Sequence, residues 1–226
     1  MSERRLEPFT IDVPVRLRAV SGAPLVVLLH GRGQDEEHAD RKSSGLRPDL
    51  SWCLPRAPYP VEVEDRAGVR RVGASWYQYT GDAEAFRASL RETGEWLLGV
   101  IERAAAATEA DASRVAILGF SQGGYLAGSM ALTWPERFAG AGVLGARIKT
   151  ELFDGRVPDA LRGVRFFSAH GENDASVRPG PSRACVEELR AAGVAVEHRD
   201  YPVGHRLLPA MIDHALAWIL EGPVRR

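Results

Sequence analysis

A chain of 226 residues and 24.7 kDa, 45% hydrophobic and 26% charged, has the size and composition of one folded domain spanning 1–226 rather than a disordered tract. Its 29 basic and 30 acidic residues leave a formal charge of −1, which gives nucleic acid no electrostatic footing. Two cysteines, Cys53 and Cys185, are too few for a disulfide framework and read as reduced structural thiols.

The chain opens Met-Ser-Glu-Arg-Arg without an apolar signal core. The longest apolar run, Leu25 to Leu29, falls far short of the ~20 residues of a membrane span, so the expected setting is the cytoplasm. Phe9 to Val20 alternates apolar and polar residues, as an edge strand does. Leu25 to Leu29 predicts a strand buried on both faces, and Trp52 to Leu54 a shorter one. Pro55 to Gly81, rich in proline and aromatic residues, reads as a long loop or flap. Phe86, Leu90, Leu97 and Ile101 share one helical face within Ala83–Ala107. A buried strand over Arg114–Gly119 is followed by a helix over Gln122–Thr133, stopped near Trp134-Pro135. Strands follow at Phe138–Leu144 and Val164–Ala169, then a helix over Ser182–Ala192 closed by Gly193. A last strand, Val194–Tyr201, precedes a helix whose apolar face is Leu208, Met211, Ile212, Ala215 and Ile219. This alternation implies a mostly parallel sheet with helices on both faces. Ligand sites in such sheets lie at the carboxyl ends of the strands.

At one such end stands Gly119-Phe120-Ser121-Gln122-Gly123, between a buried strand and a helix. A sharp turn there strains the serine backbone and leaves room only for glycine two residues to either side. The hydroxyl is thereby presented at a helix N-terminus, where backbone N–H groups favour developing negative charge. Ser121 is thus the candidate nucleophile, and the Gln122 N–H a candidate oxyanion donor. A second donor is expected from the loop Leu29-His30-Gly31-Arg32-Gly33, with the Arg32 N–H the choice. Of six histidines, His205 sits on a loop at the right sheet edge and follows the acid in the Ser…Asp…His order of α/β-hydrolases. His198 and His214 fall inside a strand and a helix, His38 at a helix start, and His30 and His170 at strand ends. Asp174 is the preferred acid, because its loop lies between the strands carrying the other two; Glu172 and Asp200 are the alternatives.

Leu28-Leu29-His30-Gly31-Arg32-Gly33, Gly119-Phe120-Ser121-Gln122-Gly123-Gly124, His170-Gly171-Glu172-Asn173-Asp174 and Gly204-His205 together resemble the phospholipase/carboxylesterase family, which includes acyl-protein thioesterases. The resemblance runs from about Pro24 to Leu220. It implies an α/β-hydrolase fold without a large cap domain. It also implies a triad of Ser121, Asp174 and His205, with an oxyanion hole from the Arg32 and Gln122 amides. Trp76-Tyr77 looks like the aromatic pair these enzymes carry after the long loop. Trp76, Tyr77 and Tyr79 are the expected apolar walls of a modest cleft.

The activity expected is hydrolysis of carboxylic esters of short to medium acyl chains through an acyl-enzyme, without cofactor or metal. Asp35-Glu36-Glu37-His38 reads as acidic residues opening a helix rather than as a metal cluster. The alternatives are a thioesterase acting on acylated protein or small thioesters, and a non-catalytic ligand-binding protein on the same fold. The partner expected is a small ester or thioester, with a homo-oligomer left open. The Arg32 side chain has two readings, an anion-binding group at the cleft rim or a local partner of Asp35 or Glu36.

Overall fold

The computed structural model describes residues 12–64, 67–79, 81–152 and 159–221. In chain order its strands are β1 (Val15–Arg18), β2 (Pro24–Leu29), β3 (Ser51–Pro55), β4 (Tyr59–Glu64), β5 (Arg70–Ser75), β6 (Asp111–Phe120), β7 (Gly140–Leu144), β8 (Arg165–Gly171) and β9 (Ala195–Tyr201). All but β4 and β5 form one central sheet, in the spatial order β1-β3-β2-β6-β7-β8-β9. Every pairing in it is parallel except that of edge strand β1 with β3. The part of the predicted edge strand before residue 12 lies outside the described residues.

The period of two along each strand builds two cores. In β2, Leu25, Val27 and Leu29 point into one and Val26 and Leu28 into the other. The second core is closed by α1 (Glu36–Ser43) and α5 (Pro209–Leu216), and the first by α2 (Ala83–Thr108), α3 (Gln122–Thr133) and α4 (Pro179–Ala191). All five β2 residues from Leu25 to Leu29 are fully buried, each contributing about 1.5–3 kcal/mol of apolar burial. Such a strand fixes the sheet centre and leaves its C-terminal edge free for loops.

The helices start where their chemistry dictates. Asp35 caps α1 by accepting from the His38 N–H at 2.8 Å, with Glu36 and Glu37 in the first turn. The acidic run is therefore a helix opening, as expected. Asp82 caps α2 in the same way, accepting from the Ala85 N–H at 2.7 Å.

One prediction needs correction. Pro55–Gly81 is not a plain loop. It folds into an antiparallel hairpin of β4 and β5. Val61 and Val63 alternate with Glu62 and Glu64, a strand pattern that the prolines and glycines around it obscured. The result is an α/β-hydrolase fold, with this small hairpin beside the sheet and no large cap among the described residues.

Candidate active site

The end of β6 and the start of α3 make the sharp turn that the sequence predicts. Ser121 has φ 52° and ψ −118°, a strained conformation for a residue with a side chain, costing about 1–3 kcal/mol. The flanking glycines are sterically required. A Cβ on Gly119 would lie 2.1 Å from the Gly123 carbonyl oxygen, and one on Gly123 would lie 2.5 Å from those of Leu29 and His30. The Ser121 N–H donates to Leu144 O at 2.9 Å, tying the turn to the end of β7.

His205 follows β9. Its Nε2 lies 2.9 Å from Ser121 Oγ and its Nδ1 2.7 Å from Asp174 Oδ2. With Nδ1–H donating to the carboxylate, Nε2 is left to accept from the serine hydroxyl. The imidazole packs on Phe120 with ring centroids 4.8 Å apart. Asp174 is buried, while His205 is partly exposed. Burial alone would raise the Asp174 carboxyl. The N–H of Val177, the His205 imidazole and the N–H of Ser176 outweigh it and hold the group below the usual carboxylate range. Both amides reach Oδ1 at 2.9 Å, so the acid stays ionised.

His170, at the end of β8, stands behind this acid. Its Nε2–H donates to Val177 O at 2.8 Å and lies 3.6 Å from Asp174 Oδ2. The other acid alternatives do not reach His205. Asp200 pairs with Arg183 and His198, and Glu172 is exposed with no bond to His205.

The two predicted amide donors are the N–H groups of Arg32, after β2, and of Gln122, at the start of α3. Neither the Arg32 nor the Gln122 N–H has an acceptor among the described residues, although their surroundings are densely bonded. Around Arg32, the Gly31 N–H donates to Gln34 Oε1 at 2.9 Å and the Gly33 N–H to Ala74 O at 2.8 Å. The His30 ring donates through Nδ1 to Gly31 O at 2.8 Å and accepts from the Ala57 N–H through Nε2 at 3.0 Å. Burial, the dominant cause, lowers His30 to about 4, which keeps it neutral and able to do both.

The Gln122 side chain is a latch that the sequence reading missed. Its Nε2 donates to Tyr77 O at 2.8 Å and to Ser75 Oγ at 2.9 Å, and its Oε1 accepts from the Trp76 N–H at 3.0 Å. Trp76 Nε1–H in turn donates to His30 O at 2.7 Å. Residues 73–77 therefore hold both amide-bearing segments. The one signal for this was the polar side chain of Gln122 immediately after the serine.

The expected cleft walls need revision. Trp76 is fully buried against His30 and cannot line a cleft, because its indole spans from the hairpin to the strand end. Tyr77 is 5% exposed and packs edge-on against Phe86. Tyr79, at 67% exposure, is the open one of the three and also meets Phe86. The local-pairing reading of Arg32 is not realised either. Glu36 is held by Arg56 and Asp35 by the helix start, so Arg32 stands exposed without an ion pair among the described residues.

Comparison with known proteins fits this geometry. The Phospholipase/Carboxylesterase family matches residues 15–220. The chain belongs to that family. It is 25% identical over 219 residues to a probable carboxylesterase SOBER1-like of Arabidopsis thaliana, covering 92% of this chain and 82% of the relative. Solved structures share its fold. Arabidopsis thaliana SOBER1 superposes with a TM-score of 0.69 at 23% identity, covering 88% of this chain and 99% of that one. The Bacillus cereus carboxylesterase superposes with a TM-score of 0.74 at 17% identity, over 93% and 95% of the two chains. Membership of the phospholipase/carboxylesterase family makes the protein an esterase-type hydrolase. No helix among the described residues is long and apolar enough to cross a membrane.

Proposed function

We propose that the protein is a serine carboxylesterase in which Ser121, His205 and Asp174 form the catalytic triad. The observation that carries this reading is the unbroken hydrogen-bonded chain from Asp174 through His205 to a strained serine. Ser121 Oγ attacks the acyl carbon while His205 Nε2 takes its proton. Asp174 fixes the tautomer and stabilises the imidazolium. The Arg32 and Gln122 amides, still without acceptors, stabilise the tetrahedral oxyanion. As the carbon–oxygen bond to the alcohol breaks, His205 returns the proton to the departing oxygen. Water, deprotonated by His205, then cleaves the acyl-enzyme.

The acyl chain is short to medium. Tyr79, and the Phe86 edge it packs against, give limited apolar surface, and there is no large lid among the described residues. The test is a rate profile over p-nitrophenyl esters and matching thioesters of increasing chain length, with Ser121→Ala as control and labelling by a fluorophosphonate. Rates that peak at short to medium esters and vanish in Ser121→Ala support the reading. Rates that climb with chain length and favour thioesters point instead to a thioesterase of acylated protein. No turnover and no labelling leave a ligand-binding protein.

A further inference from the structure

The region beyond His205 is built differently from the amide side. A groove of about 590 Å³ is lined by Asn173, Ala175, Ser176, Val203, Gly204, His205 and Arg206. It is predominantly polar, and Ala175 and Val203 are its only aliphatic side chains. That is too little apolar surface to seat a fatty chain. Its polar groups are unspent. Among the described residues, the Arg206 guanidinium, the Asn173 side-chain carboxamide and the Ser176 hydroxyl make no hydrogen bond or ion pair, while the Asn173 and Ser176 backbone N–H groups donate to Val203 O and Asp174. The acids close to it are excluded or engaged. Asp174 is committed to His205 and two loop amides, and Glu172 precedes the lining residues without joining them. Arg206 is thus the one cationic arginine or lysine lining the groove, and it has no ion-pair partner among the described residues.

Mechanism says which part of an ester meets it. The oxyanion faces the Arg32 and Gln122 amides. The departing oxygen must lie beside His205 Nε2 to take back the proton. His205 is itself a wall of this groove. Building on the proposed esterase reading, we infer that the groove holds the leaving group, and that the preferred leaving group is an alcohol bearing an anionic substituent, a carboxylate or a phosphate, paired with Arg206. An arginine fork binds either oxyanion in two-point fashion, with the Asn173 and Ser176 donors close by.

The experiment holds the acyl group constant and varies the alcohol. Butyrate esters of 4-hydroxybenzamide, 4-hydroxybenzoate and 4-hydroxyphenyl phosphate present a neutral, a carboxylate and a phosphate leaving group. The parent enzyme should show kcat/KM at least roughly tenfold higher for one or both anionic esters, mostly through KM, with the ratio shrinking in 0.5 M salt. Whichever anionic ester leads identifies the anion. In Arg206→Gln the anionic-to-neutral ratio should fall by roughly fivefold or more, while Arg91→Gln, on the exposed face of α2, should keep it. A parent without preference, or a preference that survives Arg206→Gln, overturns the inference. So does a ratio that collapses in Arg32→Met instead, because the anion would then lie on the amide side. Failure of the esterase reading is separate: none of the three esters would then be cleaved in a Ser121-dependent way.

Discussion

Two serine–histidine–aspartate chains coexist in this molecule. In one, Asp174 Oδ2, His205 and Ser121 Oγ are linked at 2.7 and 2.9 Å. In the other, Asp200 Oδ1 lies 3.3 Å from His198 Nε2, and His198 Nδ1 lies 3.0 Å from Ser168 Oγ. Residue types do not separate them, but the second has a looser acid–imidazole contact and uses the two ring nitrogens in reverse. The surroundings of the serine separate them further. Ser168 sits within regular strand β8, fully buried, its hydroxyl also 3.3 Å from Ser182 Oγ. Ser121 sits on a strained turn at a helix start, next to the Gln122 amide, which has no acceptor among the described residues. The acids differ too. Asp174 is sealed and aimed by backbone amides, whereas Asp200 is half-exposed and neutralised by Arg183. On the proposed assignment, a triad is a property of the backbone that presents it more than of the three side chains.

The sharpest way to break the comparison is to remove each serine. Ser121→Ala should lower kcat by on the order of 10⁴–10⁶ with the melting temperature nearly unchanged, measured by ester hydrolysis and thermal unfolding. Ser168→Ala should show the reverse pattern, with turnover kept and a small loss of stability from the broken contacts to His198 and Ser182. Activity within about tenfold of the parent in Ser121→Ala would reverse the assignment.

The histidines come next. His205→Ala should be nearly as damaging as loss of Ser121, because the two act as one unit. Asp174→Asn should cost roughly 10³–10⁴ in kcat by holding the wrong imidazole tautomer. His198→Ala should keep most of the turnover, and a collapse there would mean that the buried chain takes part.

A smaller effect should follow from Gln122→Ala. The Gln122 N–H survives, but its tether to residues 75–77 does not. A fall in kcat of roughly 10–100-fold with KM near the parent value would show that the latch positions the oxyanion donor. Equal losses in kcat and stability would reduce it to packing.

Acid titration separates the two chains thermodynamically. Burial chiefly depresses His198, so native protein resists a proton that the unfolded chain takes up as pH falls through about 6.5. Stability should decline below that point, and His198→Gln should flatten the decline. His30 adds to it, since its value near 4 against 6.5 corresponds to about 3 kcal/mol lost across that interval. Asp174 acts later. Its depressed carboxyl contributes stability above the ordinary carboxylate range, and this is lost only as pH falls through the lower folded value. Equilibrium unfolding from about pH 8 to 3 reads both windows.

The sheet and its helices were legible because each carries a period, and the serine, histidine and acid because each follows a strand on one edge. Loop position favoured His205 over His198, which also follows the acid but lies inside a strand, and His205 is the one within hydrogen-bond distance of Ser121 Oγ. The hairpin was illegible because Pro60 and Gly73 disguise its strands, and Gly73 is required by the Gly33 backbone, which a Cβ would approach to 2.2 Å. Trp76 was misplaced for a related reason. Sequence marks an aromatic pair but not which member turns inward, and that depends on a bond to His30 O, distant in the chain.

The pairing of β7 with β8 aligns Leu144 with Ala169. It also divides the site, since Ser121 precedes this seam and both Asp174 and His205 follow it. On the proposed assignment, a chain nicked between Leu152 and Asp159 would carry the nucleophile on one fragment and its base on the other. Neither fragment could hydrolyse an ester alone. Their reunion would restore activity only in the native register, because a slip of one residue turns every side chain of β8 to the opposite face. The parallel seam thus makes the protein a candidate split reporter, in which turnover certifies that two pieces have met in correct alignment.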